Sequence, residues 1–160
     1  YKQKLMKKLI ALFGLLLIFT SCDLDDDGPQ YYNSLAKVVD IDLPEYLTYG
    51  EQDTIVVTYK LPTACHKGLG LQHNRGQGSV EERRTIYIAG VVSVDAALTE
   101  CNIDAEDEEL LEEVEAFLVV DEKEPYTFKL FQGMDVDNKP IYQTIVREVR
   151  DPDADPDPEA

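Results

Sequence analysis

Basic charge is what this chain has least of. Its 160 residues hold 15 Lys and Arg against 32 Asp and Glu, a formal net charge of −17. So acidic a surface repels phosphate backbones, which excludes nucleic acid as a partner. Nitrogen and sulfur ligands are scarce as well, with two histidines and three cysteines. Zinc takes four protein ligands, or three and a water, so no metal centre is expected. No cofactor is expected either. GLGLQH, from Gly68 to His73, lacks the third glycine and the following helix of a dinucleotide fingerprint. No serine, histidine and acid stand in a nucleophile-elbow context, and the carboxylates are too many to single out a catalytic pair. No catalytic residue is assigned, and the chain is not read as an enzyme. The uncharged run from Leu9 to Thr20 covers twelve residues. A bilayer-spanning helix needs ~20, so this run is too short to cross.

That run does fit the apolar core of a signal peptide. Lys7 and Lys8 supply the positive segment before it, and Phe19-Thr20-Ser21-Cys22 closes it. These four residues resemble the lipobox of bacterial lipoproteins, with Phe19 where leucine is usual. The resemblance implies a signal peptide over residues 1–22, cleaved so that a diacylglyceryl-modified Cys22 becomes the N-terminus. Met6 opens a complete signal by itself, so residues 1–5 are expected to lie upstream of the true start. The implied partner is a lipid bilayer. Each buried CH₂ contributes ~0.8 kcal/mol, and two or more acyl chains hold stably where one does not. Charge cannot do this work. Of the 15 basic residues, four lie before Cys22, leaving 11 against 32 acids and a net of −21 beyond it.

Cysteine arithmetic agrees with export. Three cysteines in an exported protein is an odd count. Acylation of Cys22 leaves Cys65 and Cys101 to form a disulfide in an oxidising compartment. Closing a loop of about 37 residues gives roughly 3–4 kcal/mol in the chain-entropy picture. The alternative, a nucleophilic Cys65 beside His66, fails because an oxidised cysteine cannot attack.

Asp23, Leu24, Asp25, Asp26 and Asp27 follow Cys22 directly. They resemble the acidic export tag of Bacteroidota surface lipoproteins, which implies the outer membrane and exposure at the cell surface. Residues 23–33 then serve as an acidic tether. At the other end, residues 151–160 (DPDADPDPEA) alternate acid with proline and are expected to be a disordered tail.

Between them, residues 34–150 are expected to form one β-rich domain. Period-two alternation dominates. Val39, Ile41 and Leu43 are expected on one strand face; Ile55, Val57 and Tyr59 on another. TIYIAGVVSV, residues 85–94, is expected as a central strand buried on both faces. Leu110 to Val120 fits a helical stripe as well as a strand; a helical turn near Asp107–Leu111 followed by a strand over Glu113–Val120 is the reading adopted. Tyr126, Phe128 and Leu130 lead into QGMDVDNKP, expected as the loop of a hairpin completed by residues 141–146. Asp135, Asp137 and Asn138 are read as turn residues rather than calcium ligands, because Lys139 and Pro140 follow where donors and glycine belong. The expected fold is all-β, an antiparallel immunoglobulin-like β-sandwich of about six to seven strands, preceded by the signal helix and tether. The leader and the hairpin YTFKLFQGMDVDNKPIYQTIV make the chain resemble small immunoglobulin-like surface lipoproteins of Bacteroidota. Tryptophan is absent, so the buried Trp of antibody domains is missing.

The segment Thr63–Val80 is expected to be a long loop and the best ligand-binding candidate. It carries four glycines, both histidines, Lys67 and Arg75. Lys60 to Arg84 holds five basic and two acidic residues. His66, Lys67, His73 and Arg75 are therefore the candidate binding residues for an anionic group. The alternative is that these cations pair with the protein's own acids. Tyr31, Tyr32, Tyr46 and Tyr49 are candidates for a sugar-stacking face or for edge packing. The function expected is a lipid-anchored, non-enzymatic binding or structural module meeting a surface protein or glycan. The alternatives are an accessory glycan-binding component of a nutrient-uptake system and a small hydrolase built on the two histidines.

Overall fold

The computed structural model describes residues 28–98, 100–101 and 110–153. Cys22, the signal segment, most of the acidic leader, residues 107–109 of the expected helical turn and the end of the tail lie outside the described residues; Leu111, expected in that turn, begins a strand. The chain runs β1 (Tyr31–Asp42), β2 (Leu47–Thr48), β3 (Gln52–Lys60), β4 (Lys67–Arg75), α1 (Val80–Arg83), β5 (Thr85–Asp95), β6 (Leu111–Val119), β7 (Tyr126–Met134), β8 (Pro140–Arg147) and β9 (Val149–Arg150). The fold is mostly β, as the alternation requires, and seven strands join in one sheet ordered β6-β3-β1-β5-β7-β8, with β4 also on β5.

The sheet is mixed, which corrects the expectation of a purely antiparallel one. β5 and β7 pair in parallel, Ile86 against Phe128 and Ile88 against Leu130. The reason is connectivity. A parallel pair needs a crossover, and here the chain leaves β5, forms β6 against β3, and returns to β7. β5 is the central strand. β4 pairs with Ile86–Ser93, so β1 and β7 share the opposite edge, β1 against Gly90–Asp95 and β7 against Thr85–Ile88.

β1 joins two arms of the sheet. Its first half pairs with β5 and its second with β3. Between them the register slips, so that Val38 opposes Tyr59 and Asp40 opposes Thr58. Val39 is the extra residue of a β-bulge. Consequently Val38 is buried and Val39 exposed, which corrects the expected Val39–Ile41–Leu43 face. Beyond the bulge Ile41 and Leu43 do turn inward.

One core is drawn from both arms. Ile55 and Val57 of β3 and Ala116 and Leu118 of β6 join Ile86 and Ile88 of β5 and Phe128 and Leu130 of β7. In β6 the strand reading wins: Ala116, Leu118 and Val120 are buried while Phe117 and Val119 stand out. A second cluster packs Ala36, Leu61, Val92 and Leu110 around Tyr59. Tyr59 is wholly buried, and its ring lies where side chains at Gly90 and Gly68 would be. A Cβ at Gly90 would fall 2.9 Å from Tyr59 Cβ and nearer still to its ring; one at Gly68 would strike the Tyr59 hydroxyl and come 2.7 Å from Glu112 Oε2.

The disulfide Cys65–Cys101 is present, with Cα atoms 5.7 Å apart. It ties the entry of β4 to the segment after β5. The hairpin β7–β8 turns at Asp135–Lys139. Asp135 Oδ1 accepts from the backbone N–H of Asp137 and of Lys139, and Asn138 takes φ 61°. The carboxylate is used by the turn itself.

Candidate functional site

The segment Thr63–Val80 is not the expected loop. Lys67–Arg75 is strand β4, antiparallel to β5. Its glycines have different reasons: Gly68 yields to Tyr59 and Glu112 by packing, whereas Gly70 has open space around it and is required by its φ of 114° after a bulge at Leu69. A strand scatters the four candidate residues. Eight residue steps place Lys67 and Arg75 about 26 Å apart along the chain. His66 precedes the strand, where its Nδ1 lies 2.8 Å from Thr63 Oγ1 and its backbone N–H donates to the Thr63 carbonyl. Lys67 is exposed opposite Ser93. His73, opposite Ile88, shares the face of Leu71 and Arg75.

Arg75 is bound within the fold. Its Nη1 donates to both oxygens of Asp121, at 2.7 and 2.9 Å, and its Nη2 to the Val119 carbonyl. Its guanidinium lies 5.5 Å from the centroid of the Tyr126 ring. The buried Tyr126 hydroxyl accepts from the backbone N–H of Asp121 and Glu122 and donates to Asp121 Oδ1. Burial would raise the Asp121 carboxyl, but the hydrogen bonds from Arg75 and Tyr126 outweigh it and hold the group below the ordinary carboxylate range. Burial pushes the Tyr126 phenol up. Arg83 and Arg84 pair with Glu122 and Glu124. Three arginines of the basic stretch thus meet three acids of the turn before β7.

The four candidate tyrosines do not form one face. Tyr31 and Tyr32 are exposed at the start of β1. Tyr46 lies under Arg150 at 3.5 Å and Tyr49 under Lys123 at 4.8 Å. Both follow the far end of β1, about 36 Å of strand from Tyr31. Among the described residues neither histidine is hydrogen-bonded to a carboxylate, and no three His, Cys, Asp or Glu are grouped to hold a metal.

A different surface has the makings of a site. On the outer face of the β5 arm, Tyr87 of β5 reaches across β7 to Tyr142 of β8, with ring centroids 5.3 Å apart at 69°. Tyr142 also meets Phe131 edge-on at 6.3 Å. Such edge contacts hold the rings in fixed orientations. Gln72 and Asn74 of β4, opposite Ala89 and Tyr87, bring side-chain amides to the same face. Together with Leu35 these residues line a pocket of about 170 Å³. Past Leu35 lies a broader cleft of about 390 Å³, lined also by Phe131, Lys37, Lys60, Leu61 and Met134. Its volume is in the range of small-molecule sites. Lys129, between Tyr87 and Thr144 in the register, borders the aromatic pair.

Sequence reasoning missed this face because residues 85–94 look buried on both sides. Tyr87 is 37% exposed. The signal was the single phenol in an aliphatic run, one residue out of phase with the inward Ile86 and Ile88. No family model matches the chain, and no curated protein or solved structure matches it.

Proposed function

We propose that this chain is a lipid-anchored protein of the cell envelope, exposed at the outer-membrane surface, whose folded part is a non-enzymatic binding module. Anchoring through Cys22 is supported by the lipobox-like FTSC, and export is supported by the Cys65–Cys101 disulfide. An immunoglobulin-like sandwich is the reading of the two arms, supported by their common core and by β1 passing from one to the other.

The observation that carries the binding reading is the Tyr87–Tyr142 pair beside two amides on one sheet face. The apolar C–H face of a pyranose packs on a tyrosine ring, and its hydroxyls exchange hydrogen bonds with amides, each of which donates and accepts. This favours the glycan-binding role, as an accessory component of nutrient uptake, over a protein partner. A glycan array probed with the soluble domain tests it. Wild-type protein is expected to retain an oligosaccharide class that Tyr87→Ala and Tyr142→Ala lose while keeping the wild-type melting profile within a few degrees. Anchoring is tested separately: Cys22→Ser or globomycin should enlarge the mature form or release it from the membrane, and no change in either would refute the lipoprotein reading.

A further inference from the structure

We infer that the ligand of this face is an acidic oligosaccharide, a chain of sugars bearing carboxylates, with its rings on Tyr87 and Tyr142 and its charge met by Lys129 and Lys37. The inference rests on the saccharide-binding reading and adds the sign of the ligand.

Charge distribution carries it. In a protein with 32 acidic residues, carboxylates should be found on every exposed sheet face. By the register the outward positions of this one include Lys67, Gln72 and Asn74 on β4, Tyr87 and Ala89 on β5, Lys129 and Phe131 on β7, and Tyr142 and Thr144 on β8. Along the described strands β4, β5, β7, β8 and the first half of β1, the carboxylate on this face is Asp95, at the far end of β5. Lys129 stands in its middle. Neither the pocket nor the adjoining cleft has an acid in its lining, and the cleft has Lys37 and Lys60.

Lys37 and Lys129 differ from the arginines of the basic stretch. Arg75, Arg83 and Arg84 each have an acid within 3.2 Å, whereas Lys37 and Lys129 take part in no ion pair among the described residues. Protein self-neutralisation has therefore been completed next door and left undone here. A neutral ligand gives no reason to keep carboxylates off the face; an anionic one does, since a like charge facing the ligand opposes binding. Position matters as well. Lys129 flanks the rings, and Lys37 lies past Leu35 in the cleft, so a linear ligand crossing both hollows meets two cations in succession.

Titration calorimetry of the soluble domain with trigalacturonate and with its fully methyl-esterified form tests the claim, since the two share one backbone and differ in charge. The acid is expected to bind about tenfold tighter at low ionic strength, the sum of two exposed charge contacts, and to lose that margin in 0.5 M salt. Lys37→Gln with Lys129→Gln should bring the acid down to the affinity of the ester and leave the ester unchanged; Tyr87→Ala should weaken both. Equal binding of acid and ester would overturn the inference and leave the saccharide reading standing. Failure of every saccharide would remove both. Tight binding of a glutamate oligomer that Tyr87→Ala does not affect would overturn the inference in favour of an acidic peptide.

Discussion

Tyr59 shows how one side chain dictates the residues around it. Its ring lies against Gly90, and the pocket has no room for a methyl group there. Gly90→Ala is expected to cost about 3 kcal/mol, at the upper end for overpacking a rigid core, measured by urea unfolding. The same ring explains Gly68, so that two glycines far apart in sequence answer to one tyrosine. The Tyr59 hydroxyl finds no hydrogen-bond partner of good geometry among the described residues, and the Gly70 amide interacts with it only weakly. Tyr59→Phe should therefore be neutral or stabilise by about 1 kcal/mol, because it removes a buried polar group without a full partner. Asp121 gives a pH prediction. Its carboxyl is held below the ordinary range in the folded state. Its contribution is thus fully present above the unfolded carboxyl's pKa and is lost as pH falls through the depressed folded one. Asp121→Asn should flatten the acid limb of a stability–pH curve and lower the plateau at neutral pH. Because the Asp121 side chain is half exposed, solvent screening keeps the loss near or below about 1 kcal/mol.

Elements follow from period-two burial, and β6 is the clearest case. The segment fits both a helical stripe and a strand, but the two readings place Phe117 oppositely. A helix would bury it; the strand leaves it 61% exposed and buries Leu118. Phe117→Ser is accordingly expected to change stability by less than about 0.5 kcal/mol, whereas Leu118→Ala should cost about 2–5 kcal/mol. Thermal melts of the pair distinguish the readings, since a helical stripe through Leu110, Leu111, Val114, Phe117 and Leu118 would bury both residues and make both changes costly. β4 was illegible for a different reason. Its glycines and bulge suppress the alternation that marks a strand, and its partner β5 supplies the order that its own residues do not. The candidate binding residues went with it: spacing along a loop says nothing about facing, and a strand turned His73 and Lys67 to opposite sides.

At the scale of the molecule, the disulfide links chain positions 36 residues apart across the entry of β4 and the exit of β5. Cys65→Ser with Cys101→Ser should lower stability by roughly 2–4 kcal/mol, read by denaturant unfolding with and without reductant. The wild type in reductant is expected to match the double variant. The acidic body also organises itself: Asp121, Glu122 and Glu124 take the three arginines on β4 and beside α1, and Lys123 takes Asp151. That pairing consumes most of the positive charge that the sequence places near a ligand. Lys37 and Lys129, outside the basic stretch, lie on or beside the face with Tyr87 and Tyr142.

The sequence by itself determined the inward faces of β3, β6 and β7, the cysteine pair and the hairpin tip, because each depends on residues two apart or on a turn's own side chains. Tertiary structure alone decided the bulge at Val39, the parallel β5–β7 pair and the meeting of Tyr87 with Tyr142. Those three depend on which strands become neighbours. Residues 55 positions apart in the chain carry no local mark of the pairing that joins them; they are brought together when β5 and β8 pair on either side of β7.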